Sequence, residues 1–370
     1  MNSLFIKTFI LIGMLIGLPA MGILLTGFNL SRYLEFPPYS RYVEHAPFSW
    51  LAFAIIAIFV LASILFPLLN SLGSIRSPNK QISGRLPFPW WGWLGVWTGM
   101  ISWILAWTRF SWFEDLQPHT FTPLWLSYII TVNGLSYQRK GSCMMTGNKY
   151  YFALLFPASS IFWWFFEYLN RFVQNWYYAG IHFGPGEYFL YATLSFSTVL
   201  PAVLSTREWL LTFPFINEGF KSYTPIKFSK PKLAAWVVLI FSASGLTFLG
   251  VWPNVLFPFV WISPLLIIIS MKVLSGQSSF LSQVNKGDWR LIISSALGSL
   301  FCGFFWEMWN YWSLAKWEYS IPFVHRFEIF EMPLLGYAGY LPFGLECAVI
   351  GWLLEDYMTK TRLFYHKDIS

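Results

Sequence analysis

Along this chain the polar residues come in short clusters, separated by long runs in which almost every position is apolar. Ten such runs stand out, at roughly 4–29, 48–73, 89–108, 122–137, 150–170, 186–204, 233–252, 254–274, 290–312 and 334–356. An α-helix needs about 20 apolar residues to cross a hydrocarbon core about 30 Å thick, and several runs reach that length. The short alternating strands of an outer-membrane barrel are absent. The pattern predicts an all-α polytopic membrane protein, a single integral domain over residues 1–370 with about ten transmembrane helices. The first run exceeds the 7 to 15 residues of a signal-peptide core and is read as a retained helix. Pro67, Pro157, Pro201, Pro258, Pro264 and Pro342 fall within runs and predict kinks or breaks.

Composition agrees: 56% of the 370 residues are hydrophobic and 11% charged, against about 25% charged in soluble domains. A net charge of +7 would suggest nucleic acid in a soluble protein. Here the Lys and Arg residues follow the even-numbered runs instead: Arg76, Lys80 and Arg85; Arg139, Lys140 and Lys149; Arg207 to Lys232; Lys272, Lys286 and Arg290; then Lys360, Arg362 and Lys367. By the positive-inside rule both termini are cytoplasmic, in a bacterial-type inner membrane, and no nucleic-acid partner is expected. The cytoplasmic loop 205–232, with Trp209-Leu210-Leu211, is expected to lie along the membrane surface.

One stretch asks for a functional explanation. Phe304-Phe305-Trp306-Glu307-Met308-Trp309-Asn310 is followed by Trp317 and Tyr319, and an earlier copy reads Trp164-Phe165-Phe166-Glu167-Tyr168-Leu169-Asn170, followed by Trp176 and Tyr178. In both, Glu and Asn stand at i and i+3, on one face of a helix. Loop charge gives both copies the same direction, so the chain is expected to contain parallel repeated hairpins, over 150–204 and 290–357. A fainter third copy starts at Trp107. The plainer reading is that outer helix ends gather Trp, Tyr and amides as interfacial anchors.

Candidate chemistry rests on four carboxylates. Glu346 falls near the middle of the last run, where a charge costs about 2.5 kcal/mol or more, so it is expected to be paired, protonated or turned to a polar cavity. Glu307, Glu167 and Glu187 are its expected catalytic partners, with Asn310 and Asn170 as orienting groups. Trp306, Trp309, Trp317 and Tyr319 are expected to line a site for an apolar ligand, and Arg326 to pair with Glu307 or contact the ligand. Gly336, Gly339 and Gly344 suggest close helix approach beside Glu346. Five scattered histidines with no helical His pair, and Cys143, Cys302 and Cys347 at uneven spacing, predict neither a metal centre nor a disulfide framework. No nucleotide-binding fingerprint is present, and no cofactor is expected.

Trp176, Tyr178, Pro185 and Glu187, and again Trp317, Tyr319, Pro342 and Glu346, resemble the small membrane-integral lycopene cyclases and related carotenoid-modifying proteins. That resemblance implies acid-initiated cyclisation of a polyene, with carboxylates donating and removing protons and no redox change. This chain has single acids where the family has pairs, and more spans. The sequence as a whole predicts an outward-facing aromatic and acidic cavity that binds or modifies a lipid or isoprenoid by acid-base chemistry. A proton- or cation-coupled transporter and a structural subunit with membrane-protein partners are the competing expectations.

Overall fold

The computed structural model describes residues 2–72, 85–277 and 280–367. Eleven helices dominate it: α1 (Asn2–Leu25), α2 (Trp50–Leu72), α3 (Trp90–Trp107), α4 (Phe121–Lys140), α5 (Lys149–Val173), α6 (Pro185–Phe196), α7 (Val199–Leu210), α8 (Pro231–Thr247), α9 (Phe259–Leu274), α10 (Arg290–Tyr311) and α11 (Tyr340–Lys367). Among the described residues, five helical segments are long and apolar enough to cross a membrane: Ile6–Leu25, Lys149–Val173, Pro185–Leu210, Arg290–Tyr311 and Leu334–Thr359. Trp50–Leu65, Pro231–Thr247 and Phe259–Leu274 are apolar but shorter. The molecule is therefore a helical, multi-pass membrane protein by length and composition. Arg76 and Lys80 lie outside the described residues.

α7, α10, α11 and α5 form the centre, where α10 packs on α7 and α11 and α5 on α7. Two antiparallel hairpins flank them: α3 with α4, which reaches α7, and α8 with α9, which reaches α1 and α11. Phe343 on α11 sits in the middle of an aromatic core, with its ring centroid 5.6 Å from Trp163, 5.6 Å from Phe166 and 5.8 Å from Trp261. Large side chains such as Phe9, Leu51, Phe59 and Ile240 are turned outwards. That is the distribution expected where lipid, not water, is the solvent.

The prolines act where they fall. Pro201 lies in the first turn of α7, and the helix breaks ahead of it, at Ser197-Thr198. Ser159 of α5 satisfies the freed backbone, donating to the Phe196 carbonyl at 2.5 Å and accepting from Leu200 N–H at 2.9 Å. Pro157 and Pro264 lie inside α5 and α9. Gly344 lets α11 approach α10 closely, because a Cβ there would stand 2.1 Å from the Ser295 carbonyl oxygen.

Two stretches differ from the sequence expectation. Ser205 to Leu210 continue α7, and the following segment is pinned to the chain before α10 by Tyr223 N–H to the Gly287 carbonyl at 2.7 Å and Trp289 N–H to the Phe220 carbonyl at 2.8 Å. The last helix does not end near 356 but runs to Lys367.

Candidate functional site

At the C-terminal ends of α5 and α10 the chain turns into two short strands, β1 (Trp176–Ala179) and β2 (Lys316–Tyr319), which pair antiparallel. Trp176 faces Tyr319 and Tyr178 faces Trp317. Exchanging the strands turns one pair into the other, so the register has a local two-fold character. Side chains alternate across a strand, which puts Trp176, Tyr178, Trp317 and Tyr319 on the face towards the helices. On the other face Tyr177 donates to Glu318 at 2.9 Å.

Asparagines fix each strand to its helix. Asn170 donates to the Trp176 carbonyl at 2.7 Å and accepts from Asn175 N–H at 2.8 Å. Asn310 donates to the Trp317 carbonyl at 2.7 Å and accepts from Trp317 N–H at 2.8 Å. One turn earlier on the same face stand the glutamates. Glu167 Oε1 accepts from Trp163 Nε1 (3.0 Å), Trp176 Nε1 (3.0 Å) and the Tyr178 hydroxyl (2.6 Å). Glu307 Oε1 accepts from the Tyr319 hydroxyl (2.7 Å) and the Tyr340 hydroxyl (2.6 Å), and Trp317 Nε1 donates to Tyr319 at 2.8 Å.

The two glutamate cages differ at one place. Four residues before the glutamate, on the same helix face, one copy has Trp163 and the other Gly303. Trp163 supplies a donor to Glu167; at Gly303 a Cβ would lie 2.4 Å from the Tyr340 ring. The ring occupies the space that glycine leaves, and its hydroxyl supplies Glu307 with the corresponding hydrogen bond.

Glu167 lines a cavity of about 200 Å³ whose wall also includes Arg171, Tyr178 and Tyr319. Glu307 is fully buried, and its Oε2 has no hydrogen-bond partner among the described residues. A strap of chain between α1 and α2 closes another side of the cavity with Ser40, Arg41 and His45. Gln174, in the left-handed conformation at φ 50°, holds the strap. Its Oε1 accepts from Tyr42 and Val43 N–H at 2.8 and 2.9 Å, and its Nε2 donates to the Ser40 carbonyl at 2.7 Å. His45 donates from Nε2 to the Val173 carbonyl at 2.7 Å, which leaves Nδ1 to accept from Ser320 at 2.5 Å. Burial holds the His45 imidazole below its ordinary range. Burial and then the adjacent carboxylates push the Tyr178 and Tyr319 hydroxyls well above theirs, so both remain donors.

The other expected residues are dispersed. Glu346 is buried on α11, accepts from Leu265 N–H at 3.3 Å through Oε1, and leaves Oε2 without a partner among the described residues. Among the described residues no hydrogen bond joins it to Glu307 or Glu167. Glu187 is exposed in the first turn of α6, where its carboxylate accepts from Gly184 N–H at 3.2 Å and caps the helix behind Pro185. Glu187 and Glu346 thus stand in unlike surroundings.

Trp306 is buried, stacked on Tyr340 at 5.9 Å and beside Trp125 at 4.8 Å. Trp309 is buried with an unpartnered Nε1. Arg326 is exposed and lies over Phe48 and Trp50, both at 5.1 Å, and forms no ion pair with Glu307. The strap, Trp163 and Tyr340 were not foreseen. Only Trp163 had a signal, its i−4 spacing from Glu167. Among the described residues no group of three or more His, Cys, Asp and Glu side chains converges as metal donors. No protein-family model matches this chain, and no curated protein or solved structure is significantly similar to it.

Proposed function

We propose that this chain is a multi-pass inner-membrane protein of bacterial type, with about ten crossings and both termini in the cytoplasm, that binds a lipid or isoprenoid at its outer face and modifies it by proton transfer. Glu167 is the reacting acid or base. The observation that carries this reading is that Glu167 is buried, borders a cavity, and has one oxygen held by three donors. Among the described residues no hydrogen bond is made to Oε2, which is left for the ligand, the arrangement general acid–base chemistry needs. Trp176, Tyr178 and Tyr319 surround the ligand with rings and hydroxyls, and neighbouring ring faces favour any positive charge that develops on it.

The repeated Glu, Asn, Trp and Tyr contacts, and the exchange symmetry of the strand register, support descent of 150–204 and 290–357 from one duplicated hairpin. In this reading Glu307 keeps the inherited cage in a sealed form. The test is extraction of lipids from mildly solubilised wild-type and Glu167→Gln protein. The variant should retain its fold and hold an unaltered lipid where the wild type holds an altered one.

A second reading, proton-coupled transport, is favoured by Glu346. This carboxylate lies inside the protein within an apolar helix and, among the described residues, is hydrogen-bonded only to the N–H that follows Pro264. Under that reading, uptake into vesicles would follow a pH gradient, and Glu346→Gln would abolish it while Glu167-dependent lipid alteration is absent.

A further inference from the structure

Two guanidinium groups border the Glu167 cavity, and both have hydrogen-bonding capacity to spare. Arg171 is 8% exposed. Its Nη2 donates to the Arg32 carbonyl at 2.9 Å and to Glu35 at 3.1 Å, while its Nε–H, buried, meets no acceptor among the described residues. Arg41, on the strap, lies with Cζ 3.2 Å from the centre of the Tyr177 ring and forms no ion pair among the described residues. An unsatisfied buried donor is costly, and more so when it is charged.

Much of the rest of the polar wall is committed. Gln174 spends both ends of its amide on the strap, both His45 nitrogens are engaged, and Glu167 Oε1 holds three donors while its Oε2 stays open. Glu35 is ion-paired with Arg171, but the Arg171 Nε–H and the Arg41 guanidinium are left for the acceptor oxygens of a ligand. A guanidinium presents its N–H groups in a planar fork that suits the oxygens of a phosphate. The volume of about 200 Å³ is several times the ~30 Å³ share of one water. Pro38, Val43 and Trp176 add apolar surface to the same wall.

From this we infer that the cavity takes the phosphate head of an amphiphile, held between Arg171 and Arg41 with Glu167 alongside. The inference rests on the cavity being the lipid site proposed above, and it names the class of lipid. Glu167 then stands next to the phosphoester end of the ligand rather than the tip of its chain.

The test uses full-length protein in mild detergent, titrated with short-chain phosphatidic acid, short-chain diacylglycerol, which lacks the phosphate, and inorganic phosphate, with binding read from tryptophan fluorescence. Phosphatidic acid should bind at least about tenfold tighter than diacylglycerol. Arg41→Gln, at an exposed position, should remove that preference without lowering the melting temperature. Arg171→Lys, which keeps the charge and loses the fork, should reduce it in part. Equal binding of the two lipids, or a preference untouched in Arg41→Gln, overturns the phosphate site. Inorganic phosphate binding as tightly as phosphatidic acid overturns the amphiphile. The proton-transfer reading fails separately, if Glu167→Gln and wild type retain the same lipid unchanged.

Discussion

Tyr178 donates its hydroxyl to Glu167 Oε1 over 2.6 Å, from a strand that reaches the glutamate only after the chain has left the helix and turned back. The contact couples ribbon to helix. Tyr178→Phe conserves the ring and removes the donor, so it should lower stability by about 1–3 kcal/mol. In a double-mutant cycle with Glu167→Gln the two changes should couple by at least about 0.5 kcal/mol. Additive melting shifts would show that this bond contributes nothing.

The asparagine clamps make a parallel prediction. Asn170→Ala strips three hydrogen bonds, and Asn310→Ala two, from backbone in or next to a strand that is buried or half-buried. Each should cost about 1–3 kcal/mol. Because β1 and β2 pair with each other, the double variant should cost less than the sum. Thermal unfolding of the solubilised protein reads all three.

Gly303 should tolerate no side chain. A methyl group there would meet the Tyr340 ring at 2.4 Å, so Gly303→Ala should cost about 1–3 kcal/mol through overpacking and release Tyr340 from Glu307. Gly186→Ala is the control, since nothing lies within 4 Å of a Cβ at that position. Its effect should stay within about 0.5 kcal/mol.

His45 sets a pH dependence. Burial lowers its folded-state pKa below the ordinary 6.5, so the unfolded chain takes up the proton first as pH falls. The contribution of the neutral imidazole is complete above 6.5. It declines as pH drops from there towards the folded pKa. Melting temperature should therefore fall between pH 7.5 and 5.5, and fall less steeply in His45→Gln. Equal slopes would contradict the assignment.

How much of this could be read from the sequence depends on range. The spacing of Glu307, Asn310, Trp317 and Tyr319, and its copy at Glu167, pointed to a local motif. Local it is, since each asparagine and glutamate binds its own following strand. The pairing of β1 with β2 joins residues more than 130 positions apart, and the strap meets Gln174 at similar separation. No periodicity encodes such contacts.

Glu187 carries two signals at once. Pro185 at the first helical position and a glutamate two residues later are a helix-start signal, yet they resemble the Pro-x-Glu of a catalytic motif. Glu346 was legible as a buried carboxylate because its run is apolar on both sides. Its partner, the Leu265 N–H beside Pro264, was not.

Glu167 carries the proposed chemistry, so the most direct test of that role is mass spectrometry of the lipids that co-purify with wild-type and Glu167→Gln protein under mild solubilisation. A retained amphiphile is expected in both, in altered form with the wild type and unaltered with the variant. An empty site, or the same unaltered lipid in both, would contradict it.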